Sequence, residues 1–147
     1  MIVKINIDIL NENKKQIINL LNRITQDEDK ALKKYYDIFS FIENESSYIY
    51  GHLENDTLVS LIWAYKREIN DEDRVHISYI SVESAYSGRG YGSALIKKIR
   101  DTSLKNNIKK LELNVSSNNE NALKLYEKLG FVTESILLTK QIESEKE

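Results

Sequence analysis

The chain of 147 residues contains no cysteine and no proline, and it has only two histidines. The absence of cysteine excludes disulfides, thiolate nucleophiles, redox CxxC motifs and zinc–thiolate sites. Two histidines leave little room for a histidine-rich metal site, so we expect no metal.

Other classes of protein are excluded by the charge and by the apolar runs. The formal net charge is −2, from 21 basic and 23 acidic residues, and this balance disfavours nucleic-acid binding. No run approaches the ~20 apolar residues of a membrane helix, and the start lacks the basic and apolar regions of a signal peptide. We therefore expect a cytoplasmic protein without membrane contact, folded as a single domain over residues 1–147.

Glycine is scarce but concentrated. Only five glycines occur, at positions 51, 88, 90, 92 and 130, and three of them fall within five consecutive residues. Glycine permits backbone conformations and close approaches that other residues do not. The segment 88–92 is therefore expected to act through its backbone.

Apolar periodicity predicts an α/β fold with the order β-α-α-β-β-β-α-β-α-β. The spacing predicts a strand at residues 2–7, helices at 11–25 and 28–42, a hairpin of strands 48–53 and 57–65, and a strand at 74–82. A helix follows the glycines, then a strand at 110–115, a helix at 122–129 closed by Gly130, and a last strand at 131–142. The acidic link 25–29 is suited to capping the second helix.

The glycine segment joins a strand to a helix. Glycine amides turned inward at the positive end of a helix dipole are typical of a phosphate site. Two better-known phosphate motifs fail here, because GxGxxG requires glycine where Ser93 stands and the nucleotide triphosphate loop requires lysine before Ser93. A flexible turn at the start of a helix is the plain alternative.

The alternation of apolar and polar residues changes phase within the strand before the glycines. Val75, Ile77 and Tyr79 are apolar in one phase, and Ile80 and Val82 are apolar in the other. A β-bulge near Tyr79 would place both sets on one face. A central strand buried on both faces explains the pattern equally well.

Two motifs lie in the second half of the chain. The first runs from Ile80-Ser81-Val82 to Ser87-Gly88-Arg89-Gly90-Tyr91-Gly92-Ser93, and the second runs from Asn119 to Phe131. Both resemble the GNAT family of N-acetyltransferases. The first is similar to the family's acetyl-CoA motif, Gln/Arg-x-x-Gly-x-Gly/Ala, and the second fits its pattern Asn-x-x-Ala-x-x-Leu-Tyr-x-x-x-Gly-Phe. The resemblance covers the chain from Val75 onward. It implies an acetyl-CoA-binding half at 74–142 and an acceptor-side half at 1–70.

The family's fold implies a mixed, mostly antiparallel sheet flanked by helices and splayed between its fourth and fifth strands. By this resemblance, pantetheine pairs with the backbone of Ile80 and Val82, and the pyrophosphate is held by Ser87, Gly88, Arg89, Gly90, Tyr91, Gly92 and Ser93. Ser87 departs from the family, which prefers glutamine or arginine there; its short hydroxyl cannot reach as those side chains do, and Arg89 is the residue that would compensate. Asn119 corresponds to a pantetheine contact, although an N-cap role is compatible with it.

The implied reaction is direct attack of a neutral amine on the thioester, with no metal. Tyr126 matches the position whose hydroxyl faces the sulfur, so it is the candidate general acid; its place on an apolar helix stripe also suits a core role. His76 occupies the strand position where some members carry a glutamate base, and an imidazole can serve there. A water chain is the alternative base, and Ser78 and Glu83 are weaker candidates.

The acceptor is not fixed by the sequence. A polyamine, an amino sugar, an antibiotic, a protein N-terminus and a lysine all remain candidates. The rival functions are a non-catalytic acyl-CoA sensor and a partner-binding domain. Family members are often dimers, which leaves a homodimer open for this chain.

Overall fold

The structure is a computed structural model that describes residues 1–144. Its residues cluster into two compact units, Met1–Asn114 and a second that begins at Val115. The two units are described in turn.

The first unit contains six strands and four helices within the described residues. In chain order they are β1 (Ile2–Lys4), α1 (Ile7–Glu12), α2 (Lys14–Thr25), α3 (Glu28–Phe41), β2 (Ser47–Glu54), β3 (Thr57–Leu58), β4 (Ser60–Ile69), β5 (Glu72–Val82), α4 (Tyr91–Lys105) and β6 (Leu111–Leu113). A 3₁₀ turn, Ser84–Tyr86, lies between β5 and α4. The second unit contains α5 (Glu120–Lys128).

The strands form one mixed sheet in the order β1-β2-β4-β5-β6, with β3 paired to β2. All pairs are antiparallel except β5 with β6, which is parallel. This arrangement confirms the predicted α/β class and its mostly antiparallel sheet. The β5–β6 pairing covers only residues 75–77 and 111–113, so the two strands are joined at one end.

The helices cover the two faces of the sheet through their apolar stripes. Helices α2 and α3 bury Ile17, Leu21 and Tyr35 in a core shared with Leu61 and Trp63 of β4. On the opposite face α4 buries a stripe of its own, formed by Leu95, Ile96 and Ile99. The predicted cap of α3 is present, because the Asp27 side chain accepts hydrogen bonds from the amides of Asp29 and Lys30.

Two predicted boundaries near the start are wrong. The strand predicted at 2–7 ends at Lys4, because Asn6 caps a helix by accepting a hydrogen bond from the Ile9 amide at 2.8 Å. The helix predicted at 11–25 is interrupted at Asn13, which separates α1 from α2. The buried Asn13 side chain accepts from the Leu58 amide at 3.0 Å, which ties this junction to β3.

The last predicted strand, residues 131–142, is also wrong. These residues form neither helix nor strand in the described part of the chain. The apolar side chains that suggested a strand are exposed, from 76% for Ile136 to 89% for Leu137. A strand requires a hydrogen-bonded neighbour as well as a suitable pattern, and the pattern alone does not supply that neighbour.

Candidate functional site

Strand β5 contains the bulge that one interpretation of its phase predicts. Trp63 pairs with Tyr79 while the next residue, Ala64, pairs with Ile77, so Ser78 is the extra residue. Beyond the bulge Ile80 pairs with Ile62, which lies on the same face of β4 as Ala64. Ile77 and Ile80 therefore share a face, as expected for a bulge that absorbs a phase change. Tyr79, paired with Trp63, lies on the opposite face, so the prediction that both sets share one face is wrong for this residue.

The backbone of β5 beyond the bulge is directed to an open edge. The Val75 amide donates toward β6, to the Lys110 carbonyl at 3.0 Å, whereas the Glu83 amide donates in the direction of β4, to the Val59 carbonyl at 2.8 Å. Successive residues of a strand direct their backbone groups to opposite edges. Ile80 and Val82 therefore direct theirs to the β6 side, where the described β5–β6 pairing has already ended.

The turn after β5 requires glycine at two positions. Gly88 has φ +76° and Gly90 has φ +80°, both in the left-handed region that side chains disfavour. Gly92 lies inside α4 with no such requirement, and a Cβ placed there would lie 3.9 Å from Cδ1 of Ile80.

Helix α4 begins at Tyr91 without a side-chain cap. Gly90 is its N-cap and supplies no side-chain hydrogen bond, and the first backbone bond into the helix runs from the Ala94 amide to the Gly90 carbonyl. The amides of residues 91–93 precede that bond and belong to the free N-terminal turn of a 15-residue helix. Such amides, with the helix dipole, suit an anion.

Two side chains of the turn have partners within it. The Ser87 hydroxyl donates to the Ser84 carbonyl at 2.8 Å, so it is used inside the turn. The Arg89 guanidinium lies 4.9 Å from the ring centroid of Tyr86, a cation–π distance.

Tyr91 connects the start of α4 to strand β2. Its ring stacks on His52 with centroids 4.1 Å apart, and its hydroxyl donates to Glu54 at 2.6 Å. Because Glu54 accepts this bond, its pKa is lowered, and the pKa of the Tyr91 hydroxyl is raised by the same bond. Sequence reasoning gave His52 no role and did not consider Glu54, because nothing local relates β2 to the glycine segment.

His76 lies on β5 beside a partly buried carboxylate that sequence reasoning also missed. Its Nδ1 is 2.7 Å from Oε2 of Glu112, its register partner on β6. Glu112 also forms ion pairs with Arg67 and Arg74. Burial raises the pKa of Glu112, but the hydrogen bonds from His76 and Arg67 outweigh it, so the pKa is lowered overall.

The second unit contains the other two predicted site residues. Asn119 caps α5, its Oδ1 accepting from the Ala122 amide at 3.2 Å. Tyr126 lies on α5 with its ring edge against Phe131, and burial raises the pKa of its hydroxyl. Gly130 follows the helix with φ +96°, as predicted for the residue that closes it.

Residues 1–144 contain neither a membrane-spanning helix nor a metal-binding cluster. No helix in this range is both long and apolar enough to cross a membrane. No cluster of three or more histidine or acidic side chains suitable for a metal ion occurs among the same residues.

A family model described as "Acetyltransferase (GNAT) family" matches residues 14–131, a range that includes part of each unit and every predicted site residue. The chain is 28% identical to N-alpha-acetyltransferase 30 of Xenopus laevis over 86% of its own length and 46% of the relative's. It is 24% identical to YycN, an uncharacterized N-acetyltransferase of Bacillus subtilis, over 61% of its own length and 58% of the relative's. The chain thus spans about half the length of these curated relatives.

The fold is shared with solved structures of low sequence identity. An aminoglycoside acetyltransferase from an uncultured soil metagenomic sample, solved in complex with trehalose, has a TM-score of 0.78 at 14% identity. The alignment covers 99% of this chain and 96% of that structure. At this identity the likeness shows a common fold.

Proposed function

Since this chain belongs to the acetyltransferase (GNAT) family, we propose that it transfers an acetyl group from acetyl-CoA to a primary amine. The observation that carries the proposal is the open edge of β5 leading directly into the glycine turn and the uncapped start of α4. An extended amide chain that ends in a pyrophosphate, as in CoA, is complementary to that sequence of features.

The pantetheine amides would pair with the backbone of Ile80 and Val82, in the manner of an added strand. The pyrophosphate would be bound by the amides of residues 88–93. Arg89, held over Tyr86, supplies the nearest positive charge in the turn. Ser87 contributes by holding the turn, since its hydroxyl bonds to Ser84. Asn119 would contact pantetheine in addition to capping α5.

The reaction forms one bond and breaks one. The amine nitrogen attacks the thioester carbonyl carbon, the new C–N bond forms, and the C–S bond breaks to release the CoA thiolate. The chain contains no cysteine, so transfer through an acyl-cysteine is excluded and direct transfer in a ternary complex is favoured. Two proton transfers remain, one away from the amine and one to the departing sulfur.

His76 is the proposed base for the amine proton. Its Nδ1 is bonded to Glu112, so a proton held on Nδ1 leaves Nε2 as the accepting nitrogen. Glu112 then acts as a positioning residue that fixes this tautomer. Its lowered pKa keeps it ionised, as that role requires.

Tyr126 is the proposed acid that protonates the thiolate. Burial raises the pKa of its hydroxyl, so Tyr126 is a neutral hydrogen-bond donor, able to pass its proton as negative charge develops on the leaving sulfur. The Tyr126 ring is supported within its own unit by Phe131, 5.7 Å away between centroids.

The acceptor is proposed at the level of a primary amine. The name of the Xenopus relative, N-alpha-acetyltransferase, specifies an α-nitrogen, and the metagenomic neighbour is named as an aminoglycoside acetyltransferase. A peptide N-terminus is the acceptor we test first, because the Xenopus relative aligns over 86% of this chain. Lysine side chains, polyamines and amino sugars form the comparison set.

The decisive experiment measures free thiol released from acetyl-CoA in the presence of each amine. Amine-dependent release from the wild-type chain supports the proposal. A melting temperature raised by acetyl-CoA without any release would instead identify a binding module. No shift and no release at saturating acetyl-CoA would contradict the proposal.

The role of His76 is tested separately, by the pH dependence of kcat/KM. His76→Ala should lower the rate and remove the limb that reports deprotonation of the base. An unchanged limb in the variant would show that His76 is outside the mechanism and would favour a water chain. Asp73→Asn is the matched control, since Asp73 lies on the same strand, pairs with Lys66 at the surface and has no role in the proposed mechanism.

A further inference from the structure

The glycines of the turn contribute no side chain that could hold its shape. Gly88, Gly90 and Gly92 have none, and glycine loses more backbone freedom on ordering than any other residue. An anion site made of such amides binds well only when the amides are already oriented, because ordering them on binding costs affinity.

Tyr91 lies between two of these glycines and is fixed on three sides. One face of its ring stacks on His52 at 4.1 Å with planes 8° apart, and Tyr86 stacks on it at 5.7 Å. Its hydroxyl donates to the carboxylate of Glu54 at 2.6 Å, in the range of a charge-assisted bond. Tyr91 is also the first residue of α4, so its own amide is one of the free donors.

The partners of Tyr91 on β2 are themselves rigid. His52 is 5% exposed, and its Nδ1 and its amide both contact the Ser60 hydroxyl on β4, at 2.6 and 2.7 Å. Desolvation by burial lowers the pKa of His52, which favours a neutral ring in the stack. Strand β2 is paired on both sides, with β1 and β4, so the contact transmits the rigidity of the sheet to the turn.

We propose that Tyr91 is a positioning residue that anchors the glycine turn to β2 through His52 and Glu54 and so preorganises the amides of residues 88–93 for the CoA pyrophosphate. This inference rests on the proposed function. It assigns the Tyr91 side chain a task distinct from its backbone contact, and it gives His52, Glu54 and Tyr86 a part in cosubstrate binding.

The test compares two acetyl donors that differ in the pyrophosphate. Acetyl-CoA carries it and S-acetylpantetheine lacks it, and both present the same thioester. Tyr91→Leu removes the ring and the hydroxyl and should raise KM for acetyl-CoA on the order of tenfold, with kcat nearly unchanged. KM for S-acetylpantetheine should stay within about twofold of the wild-type value.

Tyr91→Phe keeps the stack and removes only the bond to Glu54, so it serves if the leucine variant fails to fold. It should show the same selectivity with an increase in KM for acetyl-CoA of about threefold. Tyr50→Phe is the matched control, because the Tyr50 hydroxyl also links β2 to α4, at Thr102 far from the turn, 3.3 Å apart. This control should leave KM for both donors unchanged.

Equal changes of KM for both donors, or no change in either Tyr91 variant, would overturn the anchoring role. A wild-type chain that uses acetyl-CoA and S-acetylpantetheine with equal KM would instead overturn the pyrophosphate site in the proposed function. The wild-type comparison of the two donors therefore tests the pyrophosphate site, and the Tyr91 variants separately test the anchoring role.

Discussion

The positive φ of Gly90 makes a quantitative prediction about the turn. Alanine in the left-handed region costs about 1–2 kcal/mol relative to glycine, and Gly90 sits there at φ +80°. A Cβ at this position would meet no atom within 4 Å, so packing neither offsets nor adds to that cost. Gly90→Ala should therefore lower the free energy of unfolding by about 1–2 kcal/mol.

Gly92 provides a matched control two residues away. It lies inside α4 without a positive φ, and a new Cβ would make an ordinary contact with Ile80 at 3.9 Å. Alanine exceeds glycine in helix propensity by up to about 1 kcal/mol. Gly92→Ala should therefore leave stability unchanged or raise it by less than about 1 kcal/mol, so the same substitution changes sign within one turn.

The measurement is urea denaturation of the wild type and both variants, followed by circular dichroism with a common m-value. For a chain of this size each 1 kcal/mol corresponds to about 2–4 °C in melting temperature, so thermal unfolding gives an independent check. A Gly90→Ala variant as stable as the wild type would refute the strained turn. Equal losses in the two variants would refute the distinction between turn and helix.

Three other substitutions test separate features. Gly51→Ala should cost about 3 kcal/mol or more in unfolding free energy, measured in urea, because its Cβ would overlap the Ser60 carbonyl and lie 2.8 Å from a Leu58 methyl. Glu112→Gln should cost about 2–4 kcal/mol near neutral pH. Folding lowers the pKa of Glu112, so its contribution to stability is complete above the ordinary glutamate pKa and is lost as pH falls through the folded value. The stability difference between the wild type and Glu112→Gln, measured in urea titrations, should therefore narrow below about pH 4. A difference that stays constant with pH would contradict the assignment. Tyr126→Phe should lower kcat on the order of 10²-fold in steady-state assays while the melting temperature stays nearly constant, and an unchanged kcat would remove it as the acid.

The sequence predicts the central part of the fold because its signals there are local. The helix α4 and the strand β5 follow from apolar spacing, and the turn between them follows from three glycines. The signal fails where the deciding contact is distant. Asn13 interrupts a continuous helical pattern because its side chain bonds to the Leu58 amide, 45 residues away. The apolar pattern after Gly130 predicts a strand, yet pairing depends on an available edge that no pattern specifies.

The contrast between local signals and distant contacts also explains which residues of the candidate site the sequence predicts and which it misses. The family motifs identify the positions proposed to contact the cosubstrate, such as Ile80 and Gly88, because the proposed contacts use the backbone of one short segment. The residues that support them come from elsewhere in the chain. Glu112 meets His76 across a parallel strand pair 36 residues later, and Glu54 meets Tyr91 37 residues earlier. Only the topology of the sheet brings these pairs together.

The bulge at Ser78 relates the two halves of β5 to their different tasks. Before the bulge, residues 75–77 of β5 pair with both β4 and β6. After the bulge, β5 pairs with β4 alone among the described strands. A bulge bends its strand and increases the local twist. The β5–β6 pairing ends at Ile77, the residue before the bulge, and β6 itself ends at Leu113. One inserted residue thus keeps Ile77 and Ile80 on one face, and the edge of β5 beyond it, which β6 does not pair, is the feature on which the proposed cosubstrate site depends.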